Sequence, residues 1–212
     1  MITREITKED TSEIKVKSFL ESIKDDNEAH WKYNIFPGMY ALDLLKVHIS
    51  KPIQRVNILF KDYTLFPAKL ILGINEEEKG FHFVFSEEGT ILYEGDIHYK
   101  EKSPIYNESK LKAICQIGGK LQRHFQNNGN FPEGKTPLYN YQSMDFDVHE
   151  NLGELVIGDL EELKPKTFNI KTQYTTENTF EANGHAIVTV GNSKLIEMMA
   201  HRKLRKREKS GA

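Results

Sequence analysis

Residues 38–49, GMYALDLLKVHI, set Met39, Leu42, Leu45 and Ile49 three and four positions apart, which is the apolar stripe of a helix about three turns long. A Pro37-Gly38 turn precedes the stripe and Pro52 breaks the chain after it. The stretch beyond Pro52 narrows the fold further. RVNILFKDY, AKLILGI and GFHFVFS read as strands, and a turn at Glu88-Gly89 leads into a fourth, TILYEGDIHY, all joined by short connections. Upstream, EIKVKSFL from Glu13 to Leu20 alternates well enough to read as a short strand. The order is strand, helix, then a run of strands. An antiparallel sheet wrapped around one helix lets such a unit bury both faces.

The second half repeats that order. Asn107 or Ser109 can cap a helix, SKLKAICQIGGKLQRHF, whose stripe is Leu111, Ile114, Gly118, Leu121 and Phe125. Gly118-Gly119 in mid-helix costs about 1 kcal/mol per residue against alanine, a cost that suits a helix pressing its backbone on a sheet. After NNGNFPEGKTP come LYNYQSMDFDV, TFNIKTQYT and HAIVTV as strands. YEGDIHYK and ANGHAIVTV both place a glycine before an alternating strand. The expected architecture is α+β, with a first unit over 1–105, a second over 106–200 and a basic tail over 201–212. A chain of 212 residues accommodates one large domain or two small ones in contact.

Charge and composition narrow the function classes. Hydrophobic residues at 38% and charged residues at 28% describe a soluble protein able to form a core, and a net charge of −2 argues against duplex nucleic acid as the default partner. Cys115, alone, makes no intramolecular disulfide, suits a reducing cytoplasm and is too little for a cysteine metal site. The charged start MITREITKEDTSE has no apolar core, and no apolar run reaches the roughly 18–20 residues of a membrane span, so a cytoplasmic protein is expected. His48, His82, His98, His124, His149, His185 and His201 show no metal-ligand spacing, and neither a metal nor a cofactor is expected.

The chemistry-bearing stretch is EAHWKYNIFPGMYALD, residues 28–43. Its pattern H-x6-P-G-M-x3-D, from His30 to Asp43, resembles the signature of 3-hydroxyacyl-carrier-protein dehydratases of the hot dog fold. RVNILFKDYTLFPAKLILGI, residues 55–74, is similar to the strand, loop and strand after the helix in that superfamily. DDNEAH, residues 25–30, also resembles the D-x-N-P-x-H motif of MaoC-like hydratases, with Glu28 in place of the proline. Both resemblances use His30. They imply a tandem hot dog protein acting on acyl thioesters of an acyl carrier protein or coenzyme A. The implied reaction is a hydro-lyase step, dehydration of a 3-hydroxyacyl thioester or its reverse, of the kind used in fatty acid or polyketide metabolism.

That chemistry takes a proton from carbon 2 and expels hydroxide from carbon 3. A neutral imidazole suits the first step and a carboxyl group the second. His30 is the expected base, with Asp43 or Asp25 as the acid. Backbone N–H groups at the start of the helix, at Gly38, are expected to stabilise the thioester oxygen, and Phe36, Met39, Leu42 and Phe60 to border the acyl chain. In the dehydratase family His and acid come from opposite units. The second helix, with Cys115 and Gln116 in the equivalent region, has no carboxylate in LKAICQIGG, so Asp25 or a homodimer partner would have to supply one.

Plainer roles exist for each residue. His30 can be a half-buried histidine beside Trp31, Asp43 a solvated helix residue near a helix N-terminus, Asp25 a turn residue, Pro37-Gly38 a plain turn and Cys115 a small buried apolar group. A thioesterase of the same fold, with a carboxylate activating water, is the enzymatic alternative. A non-catalytic acyl-binding or assembly subunit comes from another class. The run Arg202–Lys209 holds six Lys or Arg against one acid; it reads as a solvated tail or as a docking patch for an acidic partner such as a carrier protein. Met198, Met199 and Leu204 would let its start dock as a helix. Nucleic acid would suit the same charges but finds no aromatic platform there.

Overall fold

A computed structural model describes residues 2–25, 27–99, 135–146, 155–164, 167–175 and 181–210, and the side chains of 2–25, 27–99 and 194–209 among them. The helix expected over 109–125, with Cys115 and Gln116, lies outside the described residues, as do His124, His149 and the expected boundary between 105 and 106. Strand β1 (Ile2–Ile6) is followed by helices α1 (Glu13–Ser22), α2 (Glu28–Trp31) and α3 (Gly38–Leu44), the last running into a 3-10 turn at Leu45–His48. Strands β2 (Ile53–Phe60), β3 (Leu70–Glu77), β4 (Gly80–Glu87) and β5 (Thr90–Tyr99) complete the first half. The second half supplies strands β6 (Lys135–Phe146), β7 (Leu155–Lys164), β8 (Thr167–Thr175) and β9 (Glu181–Asn192), and helix α4 (Ser193–Ser210) comes last. All pairings are antiparallel, in the order β1-β3-β4-β5-β2-β6-β9-β8-β7, so the strands of the two halves join through β2 and β6.

Helix α3 is more deeply enclosed than a single stripe implies. Met39, Tyr40, Ala41 and Leu42 are consecutive and all buried, which at 3.6 residues per turn means burial on every side. Its neighbours are Val56 and Ile58 of β2, Leu70, Leu72 and Ile74 of β3, and Phe81, Phe83 and Phe85 of β4 in one core cluster. The strand residues alternate: Phe81, Phe83 and Phe85 are core, while His82, Val84 and Ser86 turn to the other face. The Glu88-Gly89 turn holds both residues at positive φ, 49° and 79°, as a two-residue hairpin turn requires.

The segment 13–20 is a helix, not the strand that its alternation suggests. Ile14, one of the two alternating apolar residues, is 83% exposed. Val16, Phe19, Leu20 and Ile23 sit at i, i+3, i+4 and i+7, and these are the residues that pack on the core. Strand β1 carries no apolar alternation to reveal it, because only Ile6 of ITREI is buried, as befits a charged edge strand. Strand β7 is likewise absent from the sequence-based expectation.

Thr11, fully buried between β1 and α1, ties this end to the loop before β3. Its Oγ1 donates to the Ala68 carbonyl at 2.6 Å and accepts from the Ala68 N–H at 2.7 Å. Thr11→Val keeps the shape and strands both backbone groups, so a loss of about 2 kcal/mol is expected in urea unfolding. A change within about 0.5 kcal/mol of zero would show that the pair carries no net stability.

Candidate functional site

Asp25 and His30 are placed by three local devices. Helix α1 ends with Lys24 in the left-handed region at φ 55°, where the Lys24 N–H reaches the Glu21 carbonyl at 3.0 Å and the Asp25 N–H the Leu20 carbonyl at 2.9 Å. That is a Schellman closure, and it turns the chain sharply at Asp25. Oδ1 of Asp25 then accepts from the Asn27 N–H at 2.7 Å, an Asx turn, and Oδ1 of Asn27 caps α2 by accepting from the Ala29 N–H at 3.0 Å. One helical turn later, Nδ1 of His30 lies 3.2 Å from Oδ2 of Asp25. Nε1 of Trp31 donates to the Asp25 carbonyl at 2.7 Å, which closes the loop on itself. Asp25, x, Asn27, x, x, His30 is thus a spacing in which the first residue orients, the second caps and the third is oriented.

The pair is largely shielded: the Asp25 side chain is 5% exposed and that of His30 14%. A carboxylate only accepts, so a neutral His30 paired with it donates its Nδ1 hydrogen. The lone pair is left on Nε2, the tautomer in which an imidazole can take a proton from water or from carbon.

The structure joins His30 to Asp25 and places Asp43 elsewhere. Asp43 lies in the last turn of α3, not near its N-terminus, and pairs with Lys46 at 3.1 Å. A carboxylate there opposes the helix dipole instead of complementing it. Phe36, Met39 and Leu42 are buried in the core cluster, and Phe60 packs against it. Gly38 opens α3 under the Phe60 ring: a Cβ added to it would lie 2.0 Å from Phe60 Cε1. Its lack of a side chain serves helix-to-strand contact at that point. The ring that the sequence suggests as an acyl-chain contact therefore covers the suggested oxyanion position.

A second His–Asp contact is not anticipated by the sequence. Nδ1 of His82 on β4 is 2.8 Å from Oδ1 of Asp96 on β5, both about one-third exposed. The hairpin is legible, but simple pairing around the turn would set His82 opposite Gly95. A bulge between Phe85 and Ser86 moves the register by one. Among the described residues, no group of three His, Cys, Asp or Glu side chains is placed to hold a metal ion.

The basic run 202–209 forms the last turns of α4. Ile196 and Ala200 pack with Ala29, Ile35 and Leu65, and Lys203 and Arg207 continue the same stripe onto Glu87 at 3.4 and 2.8 Å. Arg207 also donates to Thr64 Oγ1 and to the Leu65 and Pro67 carbonyls. Burial would raise the Glu87 pKa, but hydrogen bonds from Thr64 and Arg207 and the charges of Arg207 and Lys203 outweigh it and hold the carboxyl below its ordinary value. Arg202, Arg205, Lys206 and Lys209 remain exposed. Met198 and Leu204, expected from the sequence to dock the helix, are 65% and 45% exposed. No described helix is long and apolar enough to cross a membrane.

No family model matches the chain, and no curated protein matches it by sequence. Solved structures do resemble it. A structure described as thioesterase II from Thermobifida fusca superimposes with a TM-score of 0.57 at 7% identity, over 79% of this chain and 91% of that one. A conserved protein of unknown function with hot dog fold from Alicyclobacillus acidocaldarius gives 0.56 at 8%, over 82% and 97%. An acyl-CoA thioesterase II, TesB2, from Mycobacterium marinum gives 0.56 at 7%, over 82% and 98%. At such identities the likeness speaks to the fold, and the fold of this chain is the hot dog fold.

Proposed function

We propose that this hot dog protein acts on acyl thioesters, and that its reaction is hydrolysis of an acyl-CoA. The carrying observation is the shielded Asp25–His30 contact at 3.2 Å, which leaves Nε2 of the ring as a base. The naming of two of the similar folds as thioesterases supports hydrolysis over other thioester chemistry. In the proposed reaction Nε2 takes a proton from water as the water oxygen bonds to the thioester carbonyl carbon. Collapse of the tetrahedral intermediate breaks the carbon–sulfur bond, and the imidazolium returns the proton to the departing thiolate. Acyl thioester and water become carboxylic acid and thiol. Asp25 holds the ring and stabilises its charged form. Both groups come from one chain, so this reading needs no carboxylate from a second chain or from the second helix.

Hydration of a 2-enoyl thioester, or dehydration of the 3-hydroxy form, is the second reading. It is favoured by one observation, the contact between the two ends of the Asp25-x-Asn27-x-x-His30 motif. We also propose that the halves are tandem hot dog units in one chain; the edge pairing of β2 with β6 supports this. An acidic carrier protein as acyl donor would use the four exposed cations of the run 202–209.

Two assays on one panel of acyl-CoA and 2-enoyl-CoA substrates separate the readings. Thiol release from the acyl-CoA substrates, with enoyl absorbance lost only in step with thiol release, is the expected result. Loss of enoyl absorbance without thiol release would move the assignment to a hydratase, and neither signal would leave a non-catalytic acyl-binding role. Asp43→Asn is expected to leave turnover unchanged and to cost at most about 0.5 kcal/mol in thermal unfolding, since it removes one exposed ion pair opposed to a helix dipole. A large fall in kcat for this variant would restore Asp43 as the acid.

A further inference from the structure

Helix α4, the segment 65–69 and the residues just after α2 enclose a cavity of about 810 Å³, within the range of small-molecule sites. Phe66, Ile71 and Leu204 give it apolar walls. Ile71 and Leu204 are 37% and 45% exposed, large apolar side chains left uncovered beside a hollow. Its rim carries Lys8, Lys32 and Lys69. Of the two carboxylates on the wall, Glu87 is already taken by Lys203 and Arg207, which leaves Glu88 against three lysines. Lys32 pairs with Glu28 and Lys69 with Glu5, but these lysine side chains are 62% and 58% exposed, and exposed pairs of this kind are worth at most about 1 kcal/mol. Their ammonium groups can turn to a ligand at small cost.

We propose that this cavity binds an amphipathic anion: an unbranched apolar chain that fills the hollow, ending in a carboxylate or phosphate held by the lysine rim. A neutral chain would gain the apolar contact without the rim, and a small anion the rim without the walls. The site is separate from the Asp25–His30 pair, neither of which lines it.

The test is titration calorimetry of the full chain with dodecanoate, dodecanol, S-dodecyl-CoA (a thioether that cannot be hydrolysed) and coenzyme A. Saturable binding of dodecanoate or S-dodecyl-CoA, at least tenfold tighter than dodecanol and coenzyme A, is expected. Which of the two binds separates a free carboxylate from a phosphorylated carrier as the natural head group. The triple charge reversal Lys8→Glu, Lys32→Glu and Lys69→Glu should weaken binding at least tenfold at low salt. Leu204→Trp, on an exposed helix position, should block the hollow without unfolding the chain. Equal affinity in both variants, or no saturable binding of either anion, would overturn the proposal. His30→Ala should leave this binding unchanged, so the site and the proposed hydrolysis can fail independently.

Discussion

On the proposed hydrolysis, Asp25→Asn should lower thioester turnover by about 10²–10⁴-fold, with the fold retained and KM little changed. The amide is nearly the size of the carboxylate, and its oxygen can still accept from the Asn27 N–H, so the loop after α1 keeps its closure. The other amide position then presents an NH₂ group to Nδ1 of His30 where a carboxylate oxygen stood. Two donors cannot share that contact. The ring answers by moving its hydrogen to Nε2, and the nitrogen meant to accept a proton is occupied. His30→Ala removes the proposed base outright and should fall in the same range. Because the two side chains act as one unit, the double variant should be hardly worse than either single one. Circular dichroism and urea unfolding of Asp25→Asn check that the loss is chemical. If Asp25→Asn kept full kcat while His30→Ala lost it, the carboxylate would be a loop fastener and the ring would be oriented by something else. If both kept it, the pair would have no part in turnover.

The legible parts of this molecule are those written in short-range pattern. The strands over 55–99 emerge from alternation between Gly and Pro punctuation, and β5 and β8 are bounded residue for residue at 90–99 and 167–175. The contact between Asp25 and His30 is available because every device that builds it lies within six residues: an αL helix stop, an Asx turn, a cap. Asp43 misleads for a different reason. The apolar stripe runs to Ile49 and suggests a longer helix, whereas the α-helical hydrogen bonding stops at Leu44 and continues as a 3-10 turn, so a residue read as near the start lies near the end. In segment 13–20 two periods fit the same eight residues, and Phe19 and Ile23, which alternation ignores, settle the choice. His82 and Asp96 hinge on a bulge with no sequence mark of its own. Arg207 and Glu87 are 120 residues apart, and nothing local in either announces the other.

That last contact carries the largest expected effect on stability. Glu87→Ala should destabilise the chain by about 3 kcal/mol in urea unfolding at pH 7. Glu87 is 11% exposed and faces Arg207 and Lys203, themselves 22% and 15% exposed, so truncating it leaves two shielded cations without their counter-charge. The figure stays at the low end for a broken buried pair because Arg207 keeps the Leu65 and Pro67 carbonyls and the Thr64 hydroxyl. Arg207→Met added to Glu87→Ala should recover part of the loss, since it removes the stranded charge and keeps the apolar stem on the loop. The sign of the shift sets the pH dependence. The folded-state pKa of Glu87 lies below its ordinary 4.5, so the unfolded chain binds the proton more readily. The contribution is therefore complete above about pH 4.5 and is lost as the pH falls through the folded value. The gap between wild type and Glu87→Ala should be full at pH 7 and narrow below about pH 4.5. A gap of equal size at pH 3 would mean that the lost stability is packing, not charge. Because α4 reaches the body through this cluster and the small apolar contact of Ile196 and Ala200, the same variant should raise hydrogen exchange in α4 before it does so in β4, the strand that carries the substitution.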